Sequence, residues 1–181
     1  MNTQTQEESS IKMQEEESGR NEMNIVVAVN ESQESMRACL WACTHLLATQ
    51  TNVRQPYKFT LLHAQAPICV AGGPAYIMSS DVCYLLELDT KRSTQKILKQ
   101  ALNICKHHNV KANTHVVIGL PKERICEAAQ KLGANFLVMG SRDHGVLIRL
   151  VRESLGDYCS RNAMCPVIVV NEKVYKNGQE N

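Results

Sequence analysis

The sequence predicts an α/β protein built on a parallel β-sheet. Two observations carry that expectation. Five short apolar runs alternate with four longer segments whose apolar residues recur at helical spacing. The stretch from Ala134 to Val170 reads as one complete unit: an apolar run ending in Gly140-Ser141, a polar turn, an amphipathic segment, and a second apolar run. Such alternation implies parallel strands joined by right-handed crossovers. At 181 residues the chain is one domain plus tails, long enough for a full core.

The elements follow in chain order. Residues 1–22 are rich in Gln, Glu and Ser and bury too little to offset ordering entropy, so a disordered acidic tail is expected. Residues 1–24 hold six acidic and two basic side chains, a net of −4, which leaves +6 on the remainder. Ser9, Ser10 and Ser18 are its phosphorylatable positions. The acidic, polar start matches neither a signal peptide nor a transit peptide.

Asn24 to Asn30 is the first strand. Ser32, Glu34 or Ser35 opens a helix with Met36, Cys39, Leu40, Cys43, Leu46 and Leu47 on its apolar face. Trp41 is assigned to packing. Lys58 to Ala64 is the second strand. Gln65 to Ser80, with Pro67, Gly72, Gly73 and Pro74, is an unusually long connection, expected as a lid over the site.

Asp81 to His108 is a long helix, with Leu85, Leu88, Ile97, Leu98, Leu102 and Ile104 as core contacts and Lys91, Arg92, Lys96 and Lys99 on a solvated face. Val110 to Ile118 is the third strand. Pro121 suits a helix start, Lys122 to Leu132 continues it, and Gly133 ends it. The fourth strand runs to Gly140, the fourth helix begins near Val146 or Leu147, and Pro166 to Val170 is the fifth strand. Residues 172–181 form a polar tail.

Composition excludes several classes. No apolar run reaches membrane-spanning length. A net charge of +2 argues for no nucleic-acid partner. The eight cysteines contain no C-x-x-C pair and most fall at apolar positions, so they read as reduced core thiols of a cytosolic protein. The six histidines have no ligand spacing, and no metal site is assigned. A P-loop and a G-x-G-x-x-G are both absent. His63 or His144 could pair with Ser141 or Asp143, but no spacing demands such a pair and no catalytic residue is assigned.

The loop after the fourth strand is the candidate site. Gly140 lets a backbone amide approach a phosphate, and a following helix N-terminus suits an anion. Ser141 and Ser154 offer hydroxyl donors, and Arg142, Arg149 and Arg152 offer charge.

These residues resemble the universal stress protein family, specifically its single-domain plant members. The resemblance covers 23–171. It rests on Val26-Val27-Ala28-Val29-Asn30-Glu31-Ser32, Leu61-Leu62-His63-Ala64, Ile125-Cys126-Glu127-Ala128-Ala129, Val138-Met139-Gly140-Ser141-Arg142 and Cys165-Pro166-Val167-Ile168-Val169-Val170. It implies a Rossmann-like three-layer sandwich, with a five-stranded parallel sheet in order 3-2-1-4-5 and four helices on both faces. In that order a crevice opens at the carboxyl ends of strands one and four. The residues expected around it are Ala28, Val29, Asn30, Ser32, His63, Met139, Gly140, Ser141, Arg142, Gly145 and Ser154.

Nucleotide-binding members of that family carry G-x-x-G-x9-G-[ST] in this loop and helix. Gly140 and Ser154 match its ends, whereas Asp143 and Glu153 stand at its two inner glycines. Asn30 stands where ATP-holding members place an aspartate. A carboxylate a few ångströms from a phosphate costs about 4 kcal/mol at an effective dielectric near 20. The expectation is therefore a non-enzymatic, dimeric stress-response scaffold or regulatory module with weakened or lost nucleotide binding and no required cofactor. The alternatives are an ATP- or AMP-binding stress sensor and a hydrolase on the same fold. The resemblance also implies a homodimer through Pro166–Val170; the expected location is the cytoplasm, with the nucleus as an additional one.

Overall fold

The computed structural model describes residues 22–47, 56–67, 80–141 and 154–171. The expected tails, the expected lid between Gln65 and Ser80, and the expected helix start near Val146 lie wholly or largely outside them.

Strand β1 (Met23–Ala28) is the centre of the molecule. Ile25, Val26 and Val27 are each 0% exposed, so this strand is covered on both faces. It pairs in parallel with β2 (Tyr57–Gln65) on one side and β4 (Phe136–Gly140) on the other. β3 (Ala112–Ile118) extends the sheet beyond β2, and β5 (Val167–Val170) extends it beyond β4. The order is β3-β2-β1-β4-β5, as the family resemblance implies.

The period-two alternation of β1 sorts the rest of the chain into two layers. Ile25, Val27 and Val29 join Phe59, Leu61 and Val138 in one core, with residues of α1 (Gln33–Trp41) and α2 (Ser80–His107) packed over it. Val26 and Ala28 join Leu62, Leu137 and Met139 in the other, under α3 (Pro121–Lys131) and α4 (Leu155–Asn162). Two layers of helix therefore enclose one sheet among the described residues.

Local chemistry sets the ends of these elements. Ser32 caps α1: its side chain accepts from the Ser35 N–H at 3.2 Å. The helix then widens into a π turn over Ala42–Leu46, which the sequence did not signal. Trp41 stacks on His45 with ring centroids 5.2 Å apart, a packing role as expected. Pro121 opens α3, and Gly133, at φ +63°, closes it in the left-handed region. Asn24 clasps the turn that follows: its N–H donates to Asn135 Oδ1 at 2.7 Å, and its amide donates to the Leu132 carbonyl.

One packing expectation needs correction. Helical spacing puts Leu85 in the core, yet it is 62% exposed, as is Tyr84, and Leu86 is 42% exposed. The reason is length. At about 1.5 Å per residue a 28-residue helix outruns strands of nine residues or fewer. Its buried stripe is confined to Thr94, Ile97, Ala101 and Cys105 in the second half. Its first half instead walls a cleft beside the carboxyl ends of the strands.

Candidate functional site

The connections leave β1 and β4 on opposite sides, so a crevice forms where their carboxyl ends diverge. A recess of about 70 Å³ lies there. Six of the expected site residues line it: Ala28, Val29, Asn30, Ser32, Met139 and Gly140. It adjoins a larger cleft of about 550 Å³, lined by Asn30, His63, Thr90 and Thr94 among others. The two spaces share Asn30, Ala64 and Pro121.

Asn30 is exposed, and its Oδ1 accepts from the Ser32 N–H at 2.9 Å. This local turn holds the residue at the rim of both spaces. Ser35 Oγ donates to the Asn30 carbonyl at 2.9 Å and anchors the same turn from within α1. His63 is 6% exposed, and its Nδ1 donates to the Val29 carbonyl at 2.8 Å. That bond fixes the ring and leaves Nε2 as its remaining polar atom. Thr94, 8% exposed, donates to Gln65 Oε1 at 3.0 Å on the wall of the larger cleft.

Gly140 has a different reason from the one its sequence context suggests. A Cβ built there would fall on the backbone carbonyl of Glu34 and within 2.7 Å of the Ser35 nitrogen. The glycine lets the first turn of α1 lie directly on the end of β4. The Ser141 N–H is also committed, donating to the Val170 carbonyl at 3.0 Å and extending the ladder to β5.

Ser154, expected as a hydroxyl donor, has a role within its own helix. Ser154 is the N-cap of α4, accepting from the Asp157 N–H at 3.0 Å. Its own hydroxyl donates to Asp157 Oδ2 at 2.7 Å. The Asp157 carboxylate thus sits in the first turn of α4, bonded to the cap hydroxyl. The positive end of α4 therefore already faces an anion supplied by the chain itself. A Ser-x-x-Asp spacing announces it in the sequence. Arg142 and Gly145, with Asp143, His144 and Glu153, lie outside the described residues.

Sequence reasoning missed the cleft residues Gln65, Thr90 and Thr94, because they belong to two elements that meet only in the fold. It also dispersed the cysteines. The structure gathers Cys39, Cys43 and Cys105, with Sγ–Sγ distances of 3.9 Å from Cys39 to Cys105 and 3.8 Å from Cys43 to Cys105. Both exceed a disulfide bond of about 2.05 Å, and all the described cysteines are free thiols. Hydrogen bonds from Cys39 and Cys43 pull the Cys105 thiol down, and the same bonds push Cys39 up and Cys43 up to about 12. On the opposite face burial, then the charge of Cys126, pushes the Cys159 thiol up to about 12.

A Rossmann-like α/β protein with a crevice at the switch point of its sheet is the class that this geometry defines. Residues 23–171 match the model of the Universal stress protein family, and the chain belongs to that family. A Universal stress protein A-like protein of Arabidopsis thaliana is 24% identical over 145 residues, 78% of this chain and 80% of that one. Universal stress protein MJ0531 of Methanocaldococcus jannaschii is 33% identical over 82 residues, 45% of this chain and 48% of its own length. Among solved structures, an Arabidopsis thaliana family member with AMP bound superposes with a TM-score of 0.60 at 23% identity, covering 82% of this chain and 91% of that one. A universal stress protein in complex with cAMP gives 0.60 at 20% identity, covering 83% and 97%.

Two predictions follow from this packing. Gly140→Ala lowers unfolding free energy by about 1–3 kcal/mol through overpacking against α1. Gly133→Ala, where a Cβ meets nothing within 4 Å, costs only its left-handed backbone, about 1–2 kcal/mol. Urea midpoints at constant slope compare the two, and a Gly140→Ala midpoint at or above wild type refutes the close approach. The raised Cys159 pKa stabilises the fold below the ordinary thiol pKa of 9.0, and that contribution is lost as pH rises toward about 12. Thermal melts over that window should decline more shallowly for Cys159→Ala; parallel slopes would exclude the thiol as a cause.

Proposed function

We propose that this chain is a non-catalytic stress-response module whose crevice has lost most of its grip on phosphate. The observation that carries this reading is the Asp157 carboxylate in the first turn of α4, held there by the Ser154 hydroxyl. A phosphate placed there meets a like charge, and the Asp157 N–H is already engaged by Ser154. Asp143 and Glu153 add acidic side chains at the two positions where nucleotide-binding relatives keep glycine.

A second reading, an adenine-nucleotide sensor, has its own support. The strand-end recess and the adjoining cleft offer an apolar floor in Ala28, Val29 and Met139 and polar groups in Asn30 and His63. Two relatives of the same fold are described with AMP and with cAMP bound.

Calorimetric titration with adenosine, AMP and ATP with Mg²⁺ separates the two. The proposal expects AMP and ATP to bind no more than about threefold tighter than adenosine, a difference under about 1 kcal/mol. Submillimolar ATP binding at least tenfold tighter than adenosine overturns it and establishes the sensor. The variant Asp157→Asn, which keeps an oxygen for the cap, should raise the AMP affinity selectively.

The proposed partner is a second copy of this chain, paired through Pro166–Val170. Support comes from the sheet order, which leaves β5 at an edge, and from the apolar Val167, Ile168 and Val169, which are half-buried. Light scattering at micromolar concentration should return twice the chain mass of 20.2 kDa, and a stable monomer refutes the pairing.

A further inference from the structure

The three thiols gathered between α1 and α2 form a compact, donor-rich cluster within the apolar core. Cys39 and Cys105 are 0% exposed and Cys43 is 4% exposed. All three sulfurs lie within 4.8 Å of one another. Cys39 and Cys43 are spaced i, i+4, and Cys43 sits in the π turn, where the helix is locally widened. Cys105 faces them from the last turns of α2.

The dimensions of this triangle suit a metal ion. Sides of 3.9, 3.8 and at most 4.8 Å give a centre roughly 2.2–2.5 Å from each sulfur, bracketing a metal–thiolate bond of about 2.3 Å. Structural zinc takes four ligands, and among the described residues the cluster contains no fourth His, Cys, Asp or Glu. Three soft sulfur ligands suit Cu(I).

We propose that Cys39, Cys43 and Cys105 form a three-coordinate binding site for one Cu(I) ion. On binding, each thiol gives its proton to solvent and each sulfur forms one bond to copper, with no change in the oxidation state of either. The unit carries two net negative charges. Their burial limits the affinity, and His108 acts electrostatically on Cys105 in the favourable sense.

The test uses the full chain, reduced and kept free of oxygen, with Cu(I) supplied in competition with bicinchoninate. One Cu(I) should be retained per chain, with three sulfurs in its first shell by X-ray absorption. Cys39→Ala, Cys43→Ala and Cys105→Ala should each weaken retention at least tenfold, and Cys83→Ala and Cys126→Ala should leave it unchanged. A first shell of two sulfurs, or one containing nitrogen or oxygen, overturns the site. So does loss of binding in the Cys83 or Cys126 variant with retention in the other three. If the core variants fail to fold, the wild-type absorption spectrum decides alone. Zn(II) binding at the same three sulfurs in preference to Cu(I) refutes the assigned ion.

Discussion

The double burial of β1 is the constraint on which the rest depends. Ile25, Val26 and Val27 have no exposed surface, so each side of the strand requires a layer of helix. The alternation of its side chains decides which core each helix joins: α1 and α2 on one face, α3 and α4 on the other. At roughly 25 cal/mol per Å² of apolar area removed from water, such burial dominates any hydrogen bond at the rim. The crevice is a by-product of this arrangement. Two strands hydrogen-bonded to each other send their connections to opposite sides, and the space between cannot be filled by either.

What occupies that space is decided by short-range electrostatics. A helix N-terminus offers unpaired N–H groups and a positive dipole, and either an external anion or a side chain can satisfy them. At α4 the Ser154–Asp157 pair supplies the anion from within. At α1, Ser32 does the capping, and Asn30 and Ser35 are drawn into the same network. Gly140 is needed for closeness at α1, whose backbone is its neighbour. A glycine in a loop of this kind therefore identifies a close approach without saying what approaches.

The same limit applies to the cysteines. Each of Cys39, Cys43 and Cys105 occupies an apolar helical position, so each alone reads as a small core residue. Only the packing of α1 on α2 brings sulfurs 62 and 66 residues apart into one triangle. Cys159 shows the contrast: it is equally buried, and its thiol is pushed up mainly by desolvation.

The sequence by itself determined the alternation of strand and helix, the places where Pro121 and Gly133 bound α3, and, through family likeness, the strand order. Those features are local or follow from chain direction and burial, so they are written in short-range pattern. It also named six residues of the recess, because they lie at the ends of two recognisable strands. Tertiary structure alone decided that Leu85 stays exposed, since the overhang of α2 depends on the lengths of other elements. It alone brought Thr94 to Gln65 and Cys105 to Cys39 and Cys43. Contacts between distant segments carry no spacing in the chain, and only folding brings them within bonding distance.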